Sequence, residues 1–265
     1  IPIRILHPFA RDREHALSAH PSPFLIPTAM STYVIPAPLQ PSVAVLGTAA
    51  RFPIHRIYCV GRNYAEHARE MGASGQEPPF FFMKPADAVL PVAADTTGEL
   101  PYPSLTQDLH HEVELVVALG QGGRDIAAAD ALAHIYGYAV GLDMTRRDLQ
   151  AALKKQGRPW CIAKGFEASA PIGPLTPAAQ WAGAPTGEPQ AHITLHVNGE
   201  LRQSGHTEQM LCGVAETIAQ LSRAWTLQPG DLIFTGTPAG VGAVQRGDVL
   251  QAHIDGLQPL SVRVV

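Results

Sequence analysis

His110-His111-Glu112-Val113-Glu114-Leu115-Val116-Val117-Ala118-Leu119 alternates with the period of two expected of a β-strand. One face carries Val113, Leu115, Val117 and Leu119, and the other carries Glu112, Glu114, Val116 and Ala118. Two carboxylates two residues apart on one strand face lie roughly 7 Å apart by strand rise. Core packing does not favour that placement, because like charges repel and a buried carboxylate is costly. A bound divalent cation removes both objections, and three carboxylates with water are what a hard ion such as Mg2+ accepts. Asp143, in Tyr138-Ala139-Val140-Gly141-Leu142-Asp143-Met144-Thr145, supplies a third carboxylate at the end of an apolar strand. A solvated strand face is the other reading of the Glu pair, and a residue opening the next helix is the other reading of Asp143. The surrounding segments have to decide.

Composition sets the outer bounds. The 265 residues are 46% apolar and 16% charged, which describes a globular chain able to bury a large core. A net charge of −4 without any Lys/Arg cluster gives no sign of a nucleic-acid partner. Cys59, Cys161 and Cys212 show no C-x-x-C spacing, as expected of a reducing compartment rather than a disulfide framework. No apolar run approaches the ~18 residues a membrane span needs, so a soluble cytoplasmic protein with no membrane partner is expected. Residues 1–29, with Pro2, Pro8, Pro21, Pro23 and Pro27, read as an expression-derived or upstream-translated extension ahead of Met30-Ser31-Thr32. Residues 30–56 read as a Pro-rich lead-in with a strand candidate at Ser42–Leu46, and 57–265 as the catalytic domain.

Within that domain Arg56–Val60 predicts a strand ending at Gly61. Asn63–Gly72 predicts a short helix, with Asn63 as N-cap, Glu66 three residues on and Gly72 as the stop. Pro78–Lys84 predicts another strand. Asp125 is expected to cap a helix running to Tyr136, and Thr145 with Asp148 a second helix ended by Gly157. Ala191–Gln203 reads as a hairpin turning at Asn198-Gly199. Thr207 opens a helix to about Trp225, and Asp231–Phe234, Val249–Ile254 and Leu260–Val265 read as strands. Many short strands and few helices make the fold class mixed α+β and β-rich, a barrel or sandwich without βαβ alternation, internal repeat or Gly-rich phosphate loop.

Several polar residues stand out against this frame. His67 and Glu70 are neighbours at i and i+3, a spacing that lets a carboxylate orient an imidazole acting as general base on water, though such pairs also occur on solvated helices. Arg147, Gln150 and Lys154 share a helix face, which solvation explains equally well. Lys164 lies in Pro159-Trp160-Cys161-Ile162-Ala163-Lys164-Gly165-Phe166, an apolar strand-like segment where a lysine is either paired and functional or snorkelling. Asp231-Leu232-Ile233-Phe234-Thr235-Gly236-Thr237-Pro238-Ala239-Gly240-Val241-Gly242 runs from a strand into hydroxyls and glycines, a pattern that can hold an anion on backbone N–H groups and is common in ordinary turns.

Taken in order, these segments resemble the fumarylacetoacetate hydrolase family. The matching stretches are Cys59-Val60-Gly61-Arg62-Asn63-Tyr64-Ala65-Glu66-His67, Phe82-Met83-Lys84-Pro85, His110–Leu115, Gly141–Gln150, Pro159–Lys164, Val197-Asn198-Gly199-Glu200 and Thr235–Gly242. They run from Ile57 to Val265, and the set is similar to the single-domain acylpyruvate hydrolase branch, which includes fumarylpyruvate hydrolase. The resemblance implies a β-sandwich roll with a few peripheral helices, a homodimer, and a site built on Mg2+ or Mn2+. By motif position it implies Glu112, Glu114 and Asp143 as metal ligands, and His67 with Glu70 as the water-activating pair on a lid helix that orders when ligand binds. Gly72-Ala73-Ser74-Gly75-Gln76, with two glycines and no bulky apolar anchor, is built to move, and residues near 66–78 are expected to be less ordered without ligand than with one. It implies Lys164 and Gln150 as contacts to the substrate's polarised oxygens, and Arg62, Arg147 and Thr237 as residues holding a carboxylate or supporting that shell. Loops such as Gly72–Pro79 and Gln121–Arg124 are expected to set the acyl group. The implied reaction is metal-dependent hydrolysis of a carbon–carbon bond in a 2,4-dioxo acid, giving pyruvate and a second acid from a small 2-oxo acid substrate. The same site also suits oxaloacetate decarboxylation or isomerisation of a 2-oxo-diacid.

Overall fold

Short strands dominate the described part of the chain, which in this computed structural model comprises residues 33–72, 80–184 and 187–265. The chain divides into units of residues 1–38 and 39–265. The described residues of the first, 33–38, carry no helix or strand.

In the second unit β1 (Ser42–Ala44) and β2 (Arg51–Pro53) pair antiparallel. β3 (Ile57–Gly61), buried along its whole length, leads into the short helix α1 (Ala65–Glu70). β4 (Phe80–Lys84), β5 (Val89–Pro91) and β6 (Thr97–Leu100) follow. The expected strand over His111–Leu119 is broken at Glu112 into β7 (Leu109–His111) and β8 (Val113–Leu119). The chain then gives the one-turn helix α2 (Ala128–Ala131), β9 (Ile135–Leu142), β10 (Thr145–Arg146), α3 (Arg147–Lys155), the one-turn helix α4 (Cys161–Lys164), β11 (Ala170–Ile172) and β12 (Thr176–Pro177). Last come β13 (His192–Val197), β14 (Glu200–His206), α5 (Val214–Ala224), β15 (Leu232–Phe234), β16 (Gly242–Val244), β17 (Val249–Ile254) and β18 (Leu260–Val264).

The largest sheet runs β4-β3-β15-β8-β9-β11-β5, with β12 added to β9. A second sheet runs β14-β13-β17-β18-β6, and a small third one runs β10-β7-β16. The alternation in β8 explains how they pack. Val113, Leu115, Val117 and Leu119 enter a core shared with Ile193, Leu195, Leu250, Ile254 and Val262 of the second sheet and with Ile218 and Leu221 of α5. Val116 and Ala118, on the opposite face, pack with Val43, Phe52, Ile54, Leu232 and Phe234. Both faces of β8 are therefore in core, and the solvated-face reading of the Glu pair fails. The strand-rich mixed fold with few helices is the one expected.

Several local expectations are corrected. Asn63 does not cap α1, whose N-cap is Tyr64 without a side-chain bond. The Asn63 amide is instead buried, donating to Cys212 O and Thr235 O and accepting from Cys212 N. Asp125 takes a left-handed backbone (φ 51°), and the helix expected to run on to Tyr136 is reduced to one turn and a 3-10 segment before β9 takes over. Thr145 belongs to β10, paired with β7, so the next helix starts at Arg147. Lys164 sits on a helical turn rather than a strand. The helix expected from Thr207 is split into a 3-10 turn over Thr207–Gln209 and α5. Residues 73–79, which hold the second part of the expected mobile segment 66–78, lie outside the described residues.

Candidate active site

The break at Glu112 is a corner. β7 pairs with β10 and β16, whereas β8 pairs with β9 and β15, so the chain changes sheets at this residue. The Asp143 N–H donates to Glu112 O at 2.8 Å, which fixes the end of β9 beside the corner. Glu112, Glu114 and Asp143 are all buried, and each offers a carboxylate oxygen within 4.8 Å of the others'.

Cations surround two of the three. Lys164 Nζ stands 2.7 Å from both Glu112 Oε2 and Asp143 Oδ2. Arg147 Nη2 donates to Glu112 Oε1 at 2.5 Å, and its Nη1 donates to Gln150 Oε1 at 2.6 Å. Lys84 Nζ lies 2.7 Å from Asp143 Oδ1 as an ion pair, and it also donates to the carbonyls of Met144 and Lys164. Glu114 has a backbone donor, Gly236 N at 2.7 Å, and no cation within salt-bridge distance among the described residues. Gly236 (φ +97°) approaches so closely that a side chain there would meet Asn63 Cβ at 2.7 Å.

The electrostatics follow from this unequal pairing. Burial pushes Glu112 up, but Lys164 and Arg147 outweigh it and hold its carboxyl well below the usual carboxylate range. Burial also pushes Glu114 up, and the charges of Asp143 and Glu112 add to it, leaving its carboxyl well above that range. Burial works against the Lys164 ammonium, yet Asp143 and Glu112 raise it overall. Three clustered carboxylates, one of them lacking a cation, match the hard-oxygen donor set of a divalent ion such as Mg2+ or Mn2+.

His67 is buried on α1 and faces the same cavity, with Nδ1 3.3 Å from Glu70 Oε2. Glu70 stands behind it, and both its carboxylate oxygens accept from Gly240 N at 3.2–3.3 Å, tying α1 to the loop after β15. Arg62, Arg147, Gln150, Lys164 and Thr237 line the cavity with the triad. Arg62 has a left-handed backbone (φ 59°) and its guanidinium lies 5.6 Å from the centre of the Phe80 ring. The Thr237 hydroxyl donates to Val113 O at 2.7 Å and accepts from Gln203 Nε2.

The cavity wall also holds aromatic residues to which the sequence analysis gave no role. Phe80 and Phe82 form an aromatic wall with Trp160, whose ring centre is 5.1 and 6.0 Å from theirs. Phe80, Phe82 and Lys84 alternate on β4, so the period-two pattern of that strand already placed a lysine in line with two cavity aromatics. Lys154 lines the cavity too, donating to Met71 O at 2.9 Å. Gln121–Arg124 does not line it: Gly123 exchanges backbone bonds with Leu227 instead.

The family model for the fumarylacetoacetate (FAA) hydrolase C-terminal domain matches residues 56–265. The chain belongs to the fumarylacetoacetate hydrolase family and is an enzyme of that family. Among solved structures, it is similar to a fumarylpyruvate hydrolase from Pseudomonas aeruginosa in complex with Mn2+ and pyruvate, with 56% identity, a TM-score of 0.85, and coverage of 88% of this chain and 99% of that one. It is 41% identical over 220 residues to the oxaloacetate tautomerase YcgM of Escherichia coli, covering 83% of this chain and 96% of that protein. It is likewise 41% identical over 211 residues to the mitochondrial oxaloacetate tautomerase FAHD1 of Bos taurus, covering 78% of this chain and 90% of that protein.

Proposed function

We propose that the protein hydrolyses a carbon–carbon bond in a 2,4-dioxo acid, an acylpyruvate such as fumarylpyruvate, giving pyruvate and a second acid. The observation that carries this reading is the meeting of the Glu112–Glu114–Asp143 cluster and the His67–Glu70 pair in one cavity. A divalent ion bound by the three carboxylates supplies Lewis acidity toward the 2-oxo carboxylate end of the substrate.

The chain's own groups account for the remaining chemistry. Glu70 engages Nδ1 of His67 and leaves Nε2 to take a proton from the water that attacks the 4-carbonyl. Gln150, whose Oε1 is taken by Arg147, offers its NH2, and with Lys164 it donates to the oxyanion formed at that carbonyl. The C3–C4 bond then breaks with its electron pair on C3, as the enolate of pyruvate, which is protonated there. The other fragment leaves as a carboxylic acid. Phe80, Phe82 and Trp160 suit a flat unsaturated acyl chain, and the cations Arg62 and Lys154 suit a second carboxylate at its end.

The kinship with oxaloacetate tautomerases favours a second reading, in which the same site moves a proton between C3 and the 2-oxo oxygen of a 2-oxo-diacid, or decarboxylates it, without an attacking water. Pyruvate release from fumarylpyruvate and other acylpyruvates should be measured beside oxaloacetate tautomerisation and decarboxylation, with Mg2+ and with Mn2+. Turnover of acylpyruvates to pyruvate and the matching acid supports the first reading; activity confined to oxaloacetate replaces it with the second. A cytoplasmic homodimer belongs to the same proposal, and light scattering at micromolar concentration tests the assembly.

A further inference from the structure

Gln203 is the buried exception on an exposed strand. Its neighbours Glu200, Leu201, Arg202 and Ser204 are exposed, while Gln203 has no accessible surface. The cause is a bulge. Leu195 pairs with Gln203 but His196 pairs with Leu201, which leaves Arg202 as the extra residue. A bulge re-aims the side chain beside it, and here Gln203 turns inward. The bulged backbone rests on the loop after β15, at Gly240, where any side chain would overlap the Arg202 carbonyl.

The Gln203 amide then makes four contacts. Oε1 accepts from Val113 N at 3.0 Å and meets His111 Nδ1 at 2.9 Å. Nε2 donates to Thr237 Oγ1 and to Pro238 O, each at 2.8 Å. Both acceptor positions and both protons are used, so the amide cannot flip without setting donor against donor at Val113. Its Oε1 partners are the two residues on either side of Glu112. Its Nε2 partners are in the loop whose Gly236 N–H holds Glu114. Thr237 Oγ1 closes the ring by donating to Val113 O.

We propose that Gln203 is a positioning residue that sets the divalent-ion affinity of the Glu112–Glu114–Asp143 cluster, acting through the corner at Glu112 and the Gly236 loop. It touches neither ion nor substrate. The inference rests on the reading of the cluster as a divalent-ion site. Partners behind a metal's ligands typically change affinity 10- to 100-fold when removed, and Gln203 holds both sides of one ligand at once.

The test is Mn2+ titration of the full-length protein, followed by the electron paramagnetic resonance signal of free Mn2+, together with thermal unfolding. Gln203→Leu removes both ends of the amide. Gln203→Glu keeps the shape and the acceptor but loses the two donations to the loop, and serves if Gln203→Leu does not fold. Leu195→Ala, a core substitution on the paired strand, controls for general loosening. The expected result is a loss of Mn2+ affinity of roughly 10-fold or more in the Gln203 variants, with near-native affinity in Leu195→Ala despite a lower Tm. Native affinity in a folded Gln203 variant overturns the proposal, as does an equal loss in Leu195→Ala. A wild-type protein that binds no Mn2+ overturns the reading of the cluster and this inference together.

Discussion

The ammonium of Lys164 stands 2.7 Å from Asp143 Oδ2, inside the carboxylate cluster rather than beside it. Lys164 also reaches Glu112, so one lysine neutralises parts of two carboxylates that the proposed function assigns to a divalent ion. Removing one member of a buried ion pair costs about 3–5 kcal/mol, because the partner charges stay buried and unpaired. Lys164→Met should therefore lower the Tm of chelator-treated protein and enlarge the rise in Tm on adding Mn2+, while acylpyruvate hydrolysis is lost. Differential scanning fluorimetry with and without the ion checks this; a smaller ion-induced rise than in the wild type would count against it.

Glu114 gives a pH signature. Burial and its two acidic neighbours raise its carboxyl in the folded chain, whereas in the unfolded chain it ionises near the ordinary value of 4.5. A raised folded-state value means that Glu114 adds stability below the ordinary value, and that this contribution is lost as pH rises toward the raised one. Glu114→Gln has no proton to lose. In chelator the variant should be more stable than the wild type, by a margin that widens as pH increases from about 5, and it should show no response to Mn2+. Melting curves across pH settle the sign.

His67→Ala separates water activation from ion binding. Hydrolysis should fall by roughly 10²-fold or more, the usual scale for a general base. Mn2+ affinity should stay near native, since His67 is not among the clustered carboxylates. Oxaloacetate decarboxylation, which needs no attacking water, should suffer less than hydrolysis. Steady-state rates on both substrates, with Mn2+ titration of the variant, provide the comparison.

The proposed function puts Lys154 at the far end of the substrate. A hydrogen bond to a charged group contributes about 1.5–3 kcal/mol. Lys154→Met should raise KM roughly tenfold or more for fumarylpyruvate and leave KM for acetylpyruvate, which lacks the second carboxylate, almost unchanged. Equal effects on both would assign Lys154 to its bond with Met71 O instead.

The sequence pattern carried some of this and hid the rest. Alternation in Val113–Leu119 correctly separated two faces, and the paired carboxylates on one of them marked the cluster. The break at Glu112 was hidden because the alternation continues across it; what changes there is the set of partner strands, which no local pattern records. Asn63 looked like a helix cap because Asn favours that place, but three buried backbone groups from distant segments claimed its amide. Lys164 stood open between pairing and snorkelling until its contacts with Glu112 and Asp143 decided for pairing, and its strand-like surroundings hid a helical turn too short to show a period. Gln203 was read only as the end of a hairpin because the bulge that turns it inward is a property of pairing.

The position of β15 carries a consequence for synthesis. It follows β9, β11 and the whole β13–β14 hairpin in the chain yet lies between β3 and β8, parallel to the first and antiparallel to the second. A growing polypeptide that ends before Leu232 has no strand to bridge β3 and β8, and no Gly236 to hold Glu114. The centre of the largest sheet thus closes only after β15 has left the ribosome, and pairings of such high sequence separation form slowly. Until then, the edges of β3 and β8 that β15 covers are open to pairing with other chains, the kind of exposure that favours aggregation.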